Sequence, residues 1–71
     1  MTDVVDSDEL LRRIQRARAC SAAEERAWRT RSEDRTDPAA ARDAELRTVA
    51  YEAVTRVLDE ILTPGRRPRE R

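Results

Sequence analysis

The sequence predicts an all-α fold, an antiparallel two-helix hairpin, on three observations. Helix-start signals stand at Asp6 and at Asp37-Pro38. Apolar residues recur at helical spacing after each start, and no stretch alternates with the period of two that a strand requires. Between the two helical stretches lies Arg29-Thr30-Arg31-Ser32-Glu33-Asp34-Arg35-Thr36, which holds no apolar residue and reads as a polar turn.

The first helix is expected over about residues 7–32. Asp6 is placed to cap it, with Glu9 three residues on as in a capping box, and Val5 and Leu10 stand at the positions of a hydrophobic staple. Leu10, Ile14, Ala17, Ser21, Glu24 and Trp28 then recur at spacings of four and three, a coiled-coil seam of nearly three heptads. Asp8 with Arg12, Glu9 with Arg13 and Glu25 with Arg29 are acid-first pairs one turn apart.

The second helix is expected over about residues 38–63. Pro38 suits the first helical position, three alanines follow, and Thr63-Pro64-Gly65 ends the run. Leu46, Val49, Ala50, Tyr51, Ala53, Val54, Val57, Leu58, Ile61 and Leu62 spread over roughly 220° of its circumference, wider than the ~100° stripe of an ordinary surface helix. One partner helix cannot cover such a face. The residues before Asp6 and the tail 64–71, with four arginines, two prolines and no apolar anchor, are expected to be disordered.

A turn centred near residues 34–36 implies a register in which facing residue numbers sum to about 71. Leu10, Ile14, Ala17, Trp28, Leu46 and Ala50 are then expected in the hairpin core, with the bulky Trp28 against Ala40, Ala41 and Ala44. Glu24 and Arg47 fall opposite one another, and an interhelix ion pair is expected between them. Large apolar residues make up only about a fifth of the 71, too few for a lone hairpin to be well cored. Tyr51, Val54, Val57, Leu58, Ile61 and Leu62 are therefore expected to form an oligomer or partner interface, with dimerisation into a four-helix bundle as the simplest solution.

Composition narrows the function. The chain has 15 basic residues, all Arg, against 15 acidic, no His and one Cys, so neither an internal disulfide nor a Cys/His metal site can form. Cys20 lacks a base partner and reads as a small packing residue, with an interchain contact as the sharper alternative. Gly65 is the only glycine, which excludes a Gly-rich phosphate loop, and almost every carboxylate has an arginine at helical spacing. No catalytic residue, cofactor, metal or small-molecule substrate is expected. No apolar run suits a membrane span or a secretory signal, and a cytoplasmic location is expected. The acidic polar face of the second helix has the wrong sign for anionic lipid. Arginine and alanine have GC-rich codons, and their joint excess fits a high-GC genome such as that of an actinobacterium or actinophage.

Zero net charge is the sum of unequal parts: −1 over residues 1–37, −2 over 38–63 and +3 over the tail. Arg12, Arg16 and Arg26 fall on the face of the first helix away from its seam and could track phosphates, so a nucleic-acid-binding hairpin dimer is the alternative function. The interleaved acids and the lack of an exposed aromatic beside the strip make it the weaker one. Family signatures of known hairpins fail: Trp28-Arg29-Thr30 is not the Trp-x-Gly turn of ESX-secreted hairpins, and Ser7-Asp8-Glu9-Leu10-Leu11 lacks the catalytic aspartate of sporulation-phosphorelay hairpin phosphatases. The function expected is that of a small non-enzymatic accessory or regulatory protein acting by homodimerisation or by docking to a host protein.

Overall fold

The computed structural model describes residues 6–65, and the expectations for residues 1–5 and 66–71, Val5 of the staple included, lie outside it. The described residues form two helices, α1 (Ser7–Ser32) and α2 (Pro38–Leu62), packed against each other, with no strand among them.

Local chemistry sets the helix ends. Asp6, in extended backbone, accepts the Glu9 amide at 2.7 Å and closes the start of α1. The Glu9 carboxylate turns outward to Arg12 at 3.0 Å and Arg13 at 2.9 Å. Arg12 thus goes to Glu9 rather than to Asp8, whereas Glu9 with Arg13 and Glu25 with Arg29 form as spaced. At the far end, the amides of Glu33 and Asp34 each donate to the carbonyl three residues back, tightening the last turn. Asp34 then accepts both the amide and the hydroxyl of Thr36, at 2.9 and 2.8 Å, which bends the chain toward α2. Asp37 accepts the Ala40 amide at 3.2 Å, and Pro38 opens α2. Past Leu62, Gly65 adopts the left-handed conformation at φ +77° and donates its amide to the Glu60 carboxylate at 3.1 Å.

The seam between the helices is built from small and hydroxylated side chains. Ala44 is 1% exposed, and the other buried residues are Ser21, Thr48 and Thr55. On α2 the residues turned from solvent include Ala41, Ala44, Thr48, Tyr51, Thr55, Leu58 and Leu62, at alternating spacings of three and four, with Asp59 beside them. On α1 they include Ile14, Arg18, Ser21, Glu25, Trp28 and Ser32, at the same alternation. Of the expected seam, Ser21 is buried and Ile14 and Trp28 are half-buried, and the places between them are filled differently. Arg18 and Glu25 take the intervening places; Ala17 is exposed, while Glu24 stays half-buried at the seam's edge. Both choices preserve a seven-residue repeat, and the arginine wins because its stem lies along the seam while its guanidinium crosses to Asp59.

Register also departs from the expected one. At the turn end Trp28 stays with Ala40, Ala41 and Ala44 and Ser21 reaches the Tyr51 carbonyl, as expected, but Ser21 also meets Thr55 and Arg18 meets Asp59, so toward the open end facing numbers rise to 76 or 77. Ser32, Glu33, Asp34 and Arg35 line one depression together with Pro38, Ala41, Arg42 and Glu45, while Ala40, Ala41 and Ala44 share another with Trp28 and Arg31, so the start of α2 lies beside both the turn and the end of α1.

Candidate interaction surface

The crossing point of the hairpin is polar. The Ser21 hydroxyl donates to the Tyr51 carbonyl at 3.2 Å and lies 2.8 Å from the Thr55 hydroxyl, leaving the Thr55 O–H to donate to Ser21 Oγ. Thr48 bonds back to the Ala44 carbonyl at 2.8 Å. No buried side-chain oxygen or nitrogen among the described residues lacks a partner. Toward the open end, Arg18 grips Asp59 with two bonds of 2.8 and 3.2 Å. This fork geometry holds the guanidinium pKa above its ordinary value, chiefly through the hydrogen bond to Asp59.

Trp28 organises the turn end. Its indole N–H donates to Glu24 Oε1 at 3.1 Å, and the guanidinium carbons of Arg31 and Arg47 lie 4.6 and 4.8 Å from its ring centroid. Arg47 is in turn held by Asp43 at 2.8 Å, a bond that raises its pKa. Glu24 and Arg47, expected as an ion pair, are thus brought to the same indole and not to each other. The indole engages both, Glu24 through its N–H and Arg47 through its ring face. Trp28 shares a second shallow depression with Ala40, Ala41 and Ala44, the alanines it was expected to face.

The remaining expected residues divide by face. Of the expected core, Ile14 and Trp28 are half-buried, whereas Leu10, Ala17, Leu46 and Ala50 are exposed. Of the expected interface, Tyr51, Leu58 and Leu62 are half-buried on the seam side of α2. Val54, Val57 and Ile61 are exposed, and with Leu46 and Val49 they make a continuous stripe whose members are 48% to 66% exposed. At 100° per residue, the middle of this stripe lies about 150° round α2 from the seam that meets α1. Helix α2 therefore has two unlike faces, a narrow small-residue face toward α1 and a broad aliphatic face turned away from it. Leu10 and Leu11 add exposed apolar surface on α1. Sequence reasoning set Ala41 and Ala44 against Trp28 but missed Thr48 and Thr55 as seam residues. The alternating spacing that joins them to the two alanines was the available signal, and it was masked by the stronger apolar pattern beside it.

Cys20 is exposed and free, not packed in the hairpin. Arg12, Arg16 and Arg26 are exposed on the back of α1, with Arg12 engaged by Glu9. No group of metal-ligating side chains occurs among the described residues, and no described helix is long and apolar enough to cross a membrane. No protein-family model, curated protein or solved structure matches the chain.

Proposed function

We propose that this protein acts without catalysis, through a protein–protein contact made by the aliphatic face of α2. The function is that of a small accessory or regulatory protein that dimerises, docks to a host protein, or does both. One observation carries the reading: Leu46, Val49, Val54, Val57 and Ile61 lie exposed on the side of α2 that α1 does not touch. Together they offer roughly 500 Å² of apolar surface, in the range of the largest patch on a typical monomer, which is often functional. Aliphatic side chains of this number are costly to leave in water when the seam behind them is built from Ala, Ser and Thr.

Photo-crosslinking tests this directly. A photoreactive residue replacing Val57 should give a discrete protein adduct in the producing cell, and one replacing Arg16 should not. The absence of any protein adduct from position 57 would overturn the proposal. The second reading, nucleic-acid binding, draws on the exposure of Arg12, Arg16 and Arg26 along one face of α1. It is favoured instead if position 16 crosslinks to nucleic acid and charge reversal at Arg12 and Arg16 abolishes that adduct.

A further inference from the structure

We infer that the occupant of the aliphatic face is a second copy of this chain, its α2 lying antiparallel to the first about a two-fold axis level with Tyr51. This rests on the reading above and adds partner, direction and register. The first observation is the centring of the stripe. Leu46, Val49, Val54, Val57 and Ile61, with Ala39, Ala50 and Ala53 among them, fall on one side of α2 at 3.6 residues per turn, and the middle of the set lies near residue 51.

The second observation is the order of charges along one edge of that band. Arg42, Glu45, Arg56 and Glu60 are all exposed there. Arg42 and Glu60 stand about five full turns apart, hence on the same edge of the helix. Turning α2 end over end about residue 51 brings Arg42 against Glu60 of the partner subunit and Glu45 against the partner's Arg56. The two-fold repeats both, giving opposite charges at every flanking position that carries one of these four residues. A parallel pairing lacks this match, since flanking positions then meet the opposite edge five residues on and Arg42 faces the partner's Arg47. The charges are free to make the exchange. Glu60 uses Oε2 for the Gly65 amide and keeps its other oxygen, and Arg56 makes only a long 3.4 Å bond to Glu52.

Area and dipoles agree with this arrangement. Two stripes of roughly 500 Å² bury about 1,000 Å², the threshold of a specific interface, before the alanines and arginine stems are added. The antiparallel macrodipoles also oppose one another favourably. Because the stripe lies nearly opposite α1, the four helices run in the order α1, α2, α2, α1, with the α2 pair in the centre and the arginine-bearing backs of α1 outermost.

Charge complementation between variants tests the register. Arg42→Glu and Glu60→Arg should each weaken self-association about tenfold, because each homodimer then holds two like-charge contacts. An equimolar mixture should regain the mass of the wild type, since the mixed dimer restores both pairs, and the chain carrying both substitutions should do the same. Mass is read by sedimentation across concentration, with circular dichroism confirming that helicity is unchanged. A wild-type chain that stays monomeric to millimolar concentration overturns the inference, as does a mixture no heavier than its components. Failure here is separable from failure of the docking reading: a position-57 adduct to a different protein removes the second copy and leaves the aliphatic face as the site.

Discussion

The buried hydroxyl pair of Ser21 and Thr55 offers the sharpest test of how this hairpin is held. The two residues are among the least exposed in the chain, their oxygens are 2.8 Å apart, and Ser21 also donates to the Tyr51 carbonyl. Ser21→Ala removes two hydrogen bonds, each worth a net ~1 kcal/mol. Part of this returns, because the freed Thr55 hydroxyl can bond to the carbonyl four residues back, as Thr48 does with Ala44. The expected cost is about 1–2 kcal/mol. Thr55→Val keeps the shape of the side chain and leaves Ser21 its bond to Tyr51, so about 0.5–1 kcal/mol is expected. The double variant removes both ends of the pair and leaves no orphan. Its cost should fall short of the sum of the singles by about 0.5–1.5 kcal/mol. Urea unfolding followed by circular dichroism measures all four chains, at one fixed protein concentration because association of the native form adds to apparent stability. Each kcal/mol should also move the thermal midpoint by about 4–8 °C for a chain of this size. Additivity to within about 0.3 kcal/mol would refute the reasoning, since uncoupled residues are not hydrogen-bonded to each other.

Two further expectations follow from the same geometry. Ala44→Leu forces a large side chain into the tightest point of the seam and should cost about 1–3 kcal/mol, whereas Leu46→Ala, two residues on but exposed, should change the dilute hairpin by less than about 0.5 kcal/mol; equal effects in urea unfolding would show that the faces of α2 have been exchanged. Acid should destabilise the hairpin. Glu9 is held below its ordinary pKa by Arg13 and then Arg12, and Asp34 by the Thr36 amide and then its hydroxyl. Groups with depressed folded-state pKa values contribute fully above their unfolded values and lose that contribution as pH falls through the folded ones. Stability should therefore be flat at neutral pH and decline below about pH 4.5, less steeply in the Asp34→Asn chain; a rise on acidification would contradict both assignments.

Legibility in the sequence followed the range of the interaction. Caps read well because they are local: Asp6 and Asp37 act on amides three residues away, and no distant residue alters that. The heptad positions of Ile14, Ser21 and Trp28 were readable for the same reason. The seam of α2 was readable only at Ala41 and Ala44, set against Trp28, and not at Thr48 and Thr55. Apolar patterning weighs residues by transfer free energy, and by that measure Leu46, Val49, Val54, Val57 and Ile61 outweigh Ala41, Ala44, Thr48 and Thr55. Close approach of two helices depends instead on side-chain size and on satisfied hydroxyls, which rewards the weaker-looking set.

The order α1–turn–α2 and the helical state of both segments belong to the sequence alone, since caps, the N1 proline and a helical period each act within a few residues. Which face of α2 meets α1, how far the register shifts, and whether Glu24 finds Arg47 or an indole were decided only in three dimensions. The turn keeps Trp28 beside Ala40, Ala41 and Ala44, while toward the open end Ser21 adds Thr55 and Arg18 takes Asp59. The rotation of α2 about its own axis, which places the small-residue face inside, leaves the aliphatic face exposed.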